Sequence, residues 1–359
     1  MPTVPDADHP VIRHMHQVRQ AMLARDAALL NRITRDYMRA YYNLRTEIKA
    51  LQQAIKQANP AGKGDLVRLA ALENLLDGVR REIGKFAAIL AENLDDAIRL
   101  EIQMAGLDAY GFVQAGLPGF ETARLALEWA RLDPKAIYNL YGFLDPDGPL
   151  FAQIRLQFSQ DVAEEVRQVM VSGYIQGMNP VRIAGLIRQA TGSGLTWALN
   201  MARTANIWAY RVATHQNYLN NSKIVRGWYW MAALDRRVCL GCVAQHGSLH
   251  PLTEILNDHH LGRCFPVPVL ATYADLGIEG VAEPSPLQIT RGEDWFKALP
   301  AKDQREMMGP AMYKAWQSGA FDFGQLSKTY TSPVYGLMQR EASLKEILGD
   351  KVNLYYGSK

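Results

Sequence analysis

The sequence contains few cysteines, little net charge and no long apolar segment, and each of these absences excludes a class of protein. The formal net charge is +3, from 39 lysines and arginines against 36 aspartates and glutamates, which is too small a bias to argue nucleic-acid binding from charge alone. No uninterrupted apolar run is long enough to span a bilayer. The acidic, proline-containing residues 1–8 lack the basic and apolar segments of a signal peptide. The sequence therefore predicts no membrane segment and a protein made, and initially kept, in the cytosol.

Three cysteines in that compartment are not expected to form a disulfide framework, so their spacing matters more than their number. Cys239 and Cys242 form a C-x2-C pair, and Cys264 follows further along the chain. The tight turn within such a pair can direct both thiolates at one ion. Three thiolates and one imidazole are a common tetrahedral ligand set for structural zinc, and a complete set leaves no open position for catalysis. The spacing therefore predicts a structural zinc site.

The fourth ligand of this site has several candidates, because four of the eight histidines lie between Cys242 and Cys264. We favour His260, because it precedes Cys264 closely. The alternatives are His246, His250 and His259. A simpler interpretation remains, in which the cysteines are ordinary buried residues and the histidines lie on the surface.

The N-terminal third contains two long stretches of helical periodicity. The first, over about residues 11–57, carries apolar residues at alternating spacings of four and three, and Asn59-Pro60 ends it. The same spacing resumes between Leu69 and Leu90, after Asp65 as a candidate helix cap. Two such helices joined by a short turn predict an antiparallel helical hairpin. Apolar residues make up 48% of the chain, which suits a folded protein.

The remaining chain predicts shorter elements. A helix begins at Asn179-Pro180 and ends at Thr191-Gly-Ser-Gly, and another spans about 195–219. The β-branched and aromatic residues 224–232 predict a strand, and the proline-containing strand after Cys264 is expected at a sheet edge. We therefore predict a mainly α protein with a small α+β module and a zinc-knuckle-like C-terminal subdomain. Its predicted regions are a helical hairpin (1–107), a connector with short helices (108–160), the α+β module (161–270) and a tail with short helices (271–359).

Three further residues are expected to brace the module without taking part in catalysis. Asp235 precedes the C-x2-C pair and is expected to cap or brace its turn, with Arg236 or Arg237 as a partner. Arg203, on the preceding helix, is expected to brace the small sheet. Trp228 lies in the predicted strand, where its large side chain packs the module.

These residues together resemble the head-morphogenesis domain of the phage Mu F-like family, over about residues 165–270. The matching positions are Ala202-Arg203-Thr204, Gly227-Trp228, Asp235-Arg236-Arg237-Val238-Cys239, Cys242, Gly247, His260, Arg263-Cys264 and Pro266. The chain departs from the family pattern at Ala205, where glutamate is common. It also departs in the closing segment, which has one of the family's two cysteines.

The resemblance implies a structural, non-enzymatic protein of the bacteriophage virion. Such a minor head protein is incorporated from the host cytoplasm during prohead assembly, in the head interior or at the portal vertex. Its implied partners are the phage portal protein and the scaffold or major capsid protein. Family members are associated with DNA packaging or ejection, so phage DNA is a further implied partner.

Two other functions remain open at this point. Asn257-Asp258-His259-His260 is similar to the catalytic Asp-His segment of an HNH-type nuclease. In that interpretation His259 would activate water beside a divalent ion. The sequence lacks the second C-x2-C pair and the downstream helix of such enzymes. A zinc-stabilised adaptor that uses the helical hairpin to bind proteins is the other alternative. For DNA contact, the candidates are Arg25, Arg32, Arg35 and Arg39, although a solvated helix face explains them as well.

Overall fold

The computed structural model describes residues 8–57, 64–118, 128–140, 148–154, 162, 164–166, 168–169, 172 and 180–356. The elements are α1 (Pro10–Gln57), α2 (Gly64–Gly116), α3 (Pro134–Leu140), α4 (Pro149–Ala152), α5 (Pro180–Asn220), β1 (Val225–Met231), α6 (Leu240–Gln245), β2 (Leu249–His250), β3 (Phe265–Leu270), α7 (Gly292–Lys297), α8 (Ala301–Met308), α9 (Pro310–Gln317), β4 (Ser327–Ser332), β5 (Gly336–Glu341) and α10 (Leu344–Leu348). Short 3-10 helices follow α9 and α10. The predicted class, mainly α with a small sheet module and a long N-terminal helix, is confirmed.

The chain divides into two compact units. The first combines residues 1–23, 101–137 and 207–359, and the second combines residues 24–100 and 138–206. Residues 207–270 and the predicted tail 271–359 belong to the same compact unit. Among the described residues, no helix combines the length and the apolar character that a membrane crossing requires.

The second unit contains most of the predicted helical hairpin. Asn93 of α2 donates to Asp36 at 3.1 Å and accepts from Arg32 at 3.4 Å, whereas Asn43 donates to Glu82 at 2.8 Å. The contacts therefore advance along α1 as they retreat along α2, which is the antiparallel arrangement that the sequence predicts. Helix α2 continues through Gly84. Ile48, Leu51 and Ile55 belong to the apolar repeat predicted for the first helix, and they lie outside the residues whose side chains are described.

Helix α5 is longer than predicted, because it continues through Thr191-Gly-Ser-Gly without a break. Each glycine in a helix interior costs about 1 kcal/mol relative to alanine. Gly194, Ala198 and Ala202 are buried at four-residue spacing. This stripe of small side chains permits close packing along one face, and burial of that face offsets the glycine cost.

The first unit is built around a three-stranded antiparallel sheet with the order β2-β1-β3. Trp228 of β1 pairs with His250 of β2 and with Pro268 of β3. The predicted strand over 224–232 and the expected edge position of the proline-containing strand are both confirmed. Trp228 and Trp230 are fully buried in the core of this unit, together with Phe296 of α7.

The C-terminal part of the first unit contains the predicted short helices, here α7 to α10, and also a hairpin that was not predicted. Strands β4 and β5 pair antiparallel from Ser327↔Glu341 to Ser332↔Gly336. Their residues are largely polar and only partly buried, so they lack the apolar alternation by which strands are recognised. This hairpin, residues 327–341, is called the C-terminal hairpin below.

Candidate metal centre

The C-x2-C pair lies at the start of α6. Cys239 is the residue that caps the helix, and its Sγ accepts a hydrogen bond from the backbone N–H of Cys242 at 3.3 Å. Capping therefore places the Cys239 sulfur over the first turn, beside the side chain of Cys242. Cys264 immediately precedes β3 and is buried. The helix start and the strand start thus bring all three cysteines into one region.

His259 lies beside two of these cysteines. Its Nε2 lies 3.2 Å from the Sγ of Cys239 and 3.2 Å from the Sγ of Cys242. Its other ring nitrogen, Nδ1, is 2.7 Å from the carbonyl oxygen of His260. A carbonyl oxygen only accepts, so Nδ1 carries the donated proton, and in the neutral ring the Nε2 lone pair faces the sulfurs. Backbone contacts of this kind are typical of histidines that bind metal ions.

Two overlapping groups of potential ligands result. Cys239, Cys242 and His259 form one, and Cys242, Asp258 and Cys264 form the other; within each group one ligand atom per residue lies within 4.8 Å of the others. Cys242 belongs to both. The cluster of Cys239, Cys242, His259 and Cys264 can therefore hold a metal ion.

His260, favoured as the fourth ligand from its spacing, is not a member of either group. Its ring instead contacts Tyr335, at 5.5 Å between ring centroids and in an edge orientation, and Tyr330 at 6.5 Å. Consecutive residues in this turn point in different directions, and only His259 is turned toward the sulfurs. Sequence spacing cannot decide between two adjacent histidines, because the choice depends on the turn that follows Asp258.

The other two candidate histidines have structural partners. His246 is 1% exposed, and its Nδ1 accepts from the backbone N–H of Ala232 at 3.0 Å. The His250 ring stacks on Trp228 with centroids 4.3 Å apart and is 2.8 Å from the Glu254 carboxylate. Neither belongs to a group of potential metal ligands.

Asp258 and Arg211 form the main support of the centre, and sequence reasoning missed both roles. The Asp258 carboxylate is fully buried and pairs with Arg211 at 3.0 Å. It also accepts from the backbone N–H groups of His259 and Cys264, at 2.8 and 3.1 Å, and from the Cys242 thiol at 3.2 Å. Burial opposes its ionisation, but the Arg211 charge and these donors hold the pKa of Asp258 below its usual range. One carboxylate therefore orients three of the four potential ligands.

Arg211 extends from α5 and joins the loop before β3. Besides Asp258, it donates to the carbonyl oxygens of Cys264, at 2.8 Å, and Gly262, at 3.0 Å. We expected an arginine of this helix to brace the sheet and assigned that role to Arg203, which lies two helical turns before Arg211. Arg203 instead pairs with the buried Asp26 at 2.7 Å, within the second unit. A usable signal was the position of Arg211 on the apolar face of α5.

Asp235 and Trp228, the other two residues expected to brace the module, each contact a neighbouring segment. Asp235 accepts from the backbone N–H of Arg237 at 2.9 Å and forms a two-pronged ion pair with Arg263. The side chain that pairs with Asp235 is therefore that of Arg263, whereas we expected Arg236 or Arg237 from the sequence. Hydrogen bonds from Arg263 lower the pKa of Asp235 to about 2. The Trp228 indole N–H donates to the carbonyl oxygen of Glu254 at 2.9 Å.

The C-terminal hairpin lies against the same region. Glu341 accepts from the backbone N–H of Leu240 at 2.8 Å, and the Gln339 N–H donates to the carbonyl oxygen of Asn257 at 2.6 Å. Added to the His260–Tyr335 contact, these bonds attach the hairpin to both segments that carry ligands. The predicted tail is therefore part of the surroundings of the centre.

The electrostatics of the cluster favour an ionised sulfur beside a protonated ring when no metal is bound. The neighbouring Cys242 side chain, followed by the contact with His259, lowers the pKa of Cys239 to about 5. Burial opposes protonation of His259, but the hydrogen bond to Cys239 and the charge of Asp258 raise its pKa to about 9. Burial raises the pKa of Cys264. A metal ion binding here must therefore displace protons from both His259 and the buried thiols.

Gly262 lies directly against Asp258, so a substitution at Gly262 tests how firmly the Asp258 carboxylate is held in place. A Cβ at this position would lie 2.1 Å from the Asp258 Oδ2. That carboxylate cannot turn away without losing its bonds to Arg211 and to the backbone of Cys264. We expect Gly262→Ala to lower the free energy of unfolding by about 1–3 kcal/mol and to weaken metal binding, as measured by urea denaturation and chelator competition. Gly324→Ala, whose Cβ would meet nothing within 4 Å, is the matched control; equal effects of the two substitutions would contradict this account.

The burial of His246 predicts that the stability of the fold depends on pH, independently of the candidate metal ligands. Burial, with smaller effects of the Arg19 and Arg291 charges, lowers its pKa to about 4. In the unfolded chain His246 takes up a proton near pH 6.5, whereas in the folded chain it is still neutral at that pH. Stability is therefore complete above about pH 6.5 and decreases as the pH falls toward 4, by about 2–3 kcal/mol.

The matched variant for this prediction is His246→Asn, whose side-chain oxygen can still accept from Ala232 but does not titrate. Urea denaturation between pH 7 and 4 should give a shallower decline for the variant than for the wild type. Parallel curves would show that His246 is not the titrating group.

Comparisons of the chain with protein-family models, with curated proteins and with solved structures give no match.

Proposed function

We propose that Cys239, Cys242, Cys264 and His259 bind one zinc ion in a closed structural site. The observation that carries the proposal is the position of His259 Nε2, 3.2 Å from two sulfurs and with Nδ1 committed to a backbone carbonyl. An ion bonded at about 2.3 Å to sulfur and about 2.0 Å to nitrogen in tetrahedral geometry separates those atoms by about 3.5 Å. The distances from His259 to Cys239 and Cys242 are already close to this value, whereas Cys264 is grouped with Cys242 alone among these residues and would have to move toward the ion. Thiolates with imidazole favour zinc over magnesium or calcium.

The site supports a structural role, because its four ligands come from the protein and leave no coordination position for a substrate. The zinc ion would cross-link the start of α6 to the segment before β3. Both nitrogens of His259 are engaged, so neither is available to activate water as the nuclease alternative requires. We therefore propose that the chain is not an enzyme.

We further propose that the protein is a minor head protein of a bacteriophage, located in the head interior or at the portal vertex after assembly in the host cytoplasm. The resemblance to the Mu F-like family supports this, and several of its matching residues have defined positions here. Asp235 pairs with Arg263, Trp228 packs in the core, and Cys264 immediately precedes β3, which contains Pro266. The hairpin of α1 and α2 offers a long helical surface for the portal protein and for the scaffold or major capsid protein.

Phage DNA is the remaining proposed partner. Arg32, Arg35 and Arg39 of α1 are exposed, and their spacing places them on one side of the helix. Arg32 also donates to Asn93, and Arg25 is only partly exposed. Contact with DNA through so few cations is expected to be weak and to decrease steeply with salt.

The zinc proposal is tested by metal analysis of the purified, reduced protein. We expect about one zinc per chain in the wild type and a loss of zinc in Cys239→Ser. His260→Ala is the control, because His260 lies beside the group without belonging to it; this variant should keep the metal. Wild-type protein free of metal, or zinc lost from His260→Ala alone, would overturn the ligand assignment.

The head-protein proposal is tested by co-expression with the products of the neighbouring genes. We expect a portal or capsid protein to co-purify, and we expect no nicking of supercoiled plasmid with magnesium or manganese. Nicking that is abolished by His259→Ala would favour the nuclease. Binding to a protein that is not part of a virion would favour the adaptor.

A further inference from the structure

The C-terminal hairpin is bonded along one strand to both segments that carry potential metal ligands. At the end of β5, the Glu341 carboxylate accepts from the backbone N–H of Leu240 at 2.8 Å, immediately after the first cysteine of the C-x2-C pair. Two residues earlier, the backbone N–H of Gln339 donates to the carbonyl oxygen of Asn257 at 2.6 Å, in the loop that carries the histidine ligand. One strand therefore bridges the start of α6 and the loop before β3.

Gly241 shows how closely β5 approaches the C-x2-C turn. A Cβ at Gly241, which lies between the two cysteines of the pair, would be 3.0 Å from the backbone N and Cα of Glu341 and 3.1 Å from the carbonyl carbon of Arg340. These are backbone atoms of a paired strand, which cannot turn aside as the end of a flexible side chain can. Glycine at this position therefore permits the strand to lie directly against the helix start.

The hairpin has attachments of its own to the rest of the unit. The Met338 side chain of β5 is fully buried, and the ring of Tyr335, in the turn between the strands, packs 5.6 Å from that of Trp208 in α5. At the open end of the hairpin, the Ala342 N–H donates to the carbonyl oxygen of Leu326 at 2.8 Å. None of these contacts involves a potential metal ligand. The hairpin is thus anchored independently of the metal centre.

We infer that the C-terminal hairpin positions the metal ligands, with Glu341 as the positioning side chain and Gly241 as its seat. It holds the start of α6 beside the loop before β3. The inference rests on the proposed zinc site and extends that site to a part of the chain that contributes no ligand. Segments that are already held together lose less conformational entropy when they bind an ion, so the hairpin raises the affinity for the metal.

The coupling between the hairpin and the metal must be reciprocal. If the hairpin raises the affinity for the metal by some factor, the metal stabilises the seated hairpin by the same factor. Binding of zinc should therefore protect the backbone amides of residues 327–341 from hydrogen exchange, although none of these residues belongs to the proposed ligand set.

The test measures zinc affinity, by chelator competition, in the wild type, Glu341→Gln and Glu341→Ala. The glutamine amide oxygen can still accept from Leu240, whereas alanine leaves that N–H without its partner. We expect Glu341→Gln to bind zinc within about threefold of the wild type and Glu341→Ala to bind it roughly 10-fold more weakly, as for other residues that orient metal ligands. Wild-type affinity in Glu341→Ala, or an equal loss in both variants, would overturn the positioning role and leave the zinc site intact.

Gly241→Ala is the second variant, because alanine is the better helix former. Within α6 alone the change should be neutral or stabilising, so a loss of zinc affinity must come from the contact with β5. We expect a loss of roughly 10-fold. Gly324→Ala, whose Cβ would meet nothing within 4 Å, is the control and should bind zinc as the wild type does. Unchanged affinity in Gly241→Ala would contradict the proposed seat.

Hydrogen exchange of residues 327–341, with and without zinc, is the second measurement. Protection by zinc should be present in the wild type and much smaller in Glu341→Ala and Gly241→Ala. A wild type that binds zinc without any change in the exchange of the hairpin would overturn the positioning role alone. A wild type that binds no zinc would overturn the zinc site together with it, so the two failures are distinguishable.

Discussion

Replacement of Cys242 by serine is expected to abolish zinc binding and to unfold the segment between α6 and β3. Cys242 is the only residue shared by both groups of potential ligands, and its thiol also donates to Asp258. Structural zinc sites contribute folding free energy directly, often about 10 kcal/mol or more, which is comparable to the total stability of a domain. We expect the thermal transition of the first unit to shift down by tens of degrees or to disappear.

Two controls make this result specific. His260→Ala changes a neighbouring residue outside the ligand groups and should shift the transition by only a few degrees. Zinc removal from the wild type with a chelator should reproduce the Cys242→Ser transition. A chelator-treated wild type that melts like the loaded protein would show that the ion does not stabilise the fold.

The second large effect is expected from Arg211→Met. This change leaves the fully buried Asp258 carboxylate without its ion partner and removes the bonds to the Cys264 and Gly262 carbonyls. Breaking one side of a buried ion pair typically costs about 3–5 kcal/mol. Because Asp258 orients His259, Cys264 and Cys242, zinc affinity should fall together with stability, as measured by denaturation and by chelator competition.

Arg203→Met is the matched comparison for Arg211→Met. Arg203 lies on the same helix and also pairs with a buried carboxylate, that of Asp26, but in the second unit. We expect a loss of stability without a loss of zinc affinity. If Arg203→Met weakened zinc binding as much as Arg211→Met, the sequence-based assignment of Arg203 as the brace would be correct and ours would be wrong.

The elements that were predicted from the sequence are those with a strong local pattern. The seam of α1 repeats over many turns, and β1 is a run of β-branched and aromatic residues, so each could be recognised without knowing its neighbours. The break predicted in α5 was wrong because a glycine pair is a local signal, and the tertiary packing of Gly194 and Ala198 outweighs it. The C-terminal hairpin has no local apolar pattern to recognise.

Of the candidate site, the sequence could predict the three cysteines but not the histidine and the arginine that accompany them. The C-x2-C spacing and the later Cys264 indicate a metal site whatever the fold. The choice of His259 over His260 depends on one turn, and the pairing of Arg211 with Asp258 depends on how α5 packs against the loop before β3. Both depend on contacts between residues far apart in the chain, and residue spacing in one sequence carries no information about such contacts.

The register of the first sheet has a consequence for self-association. Trp228 and Trp230 of β1 pair with Pro268 and Pro266 of β3, and the Trp230 N–H points the other way, to Ser248 beside β2. The two prolines therefore occupy the positions of β3 whose N–H groups would face outward, and proline has none. An incoming strand finds no donors at these two positions. If loss of the metal loosened the module, this edge would still resist templated growth of a sheet between molecules.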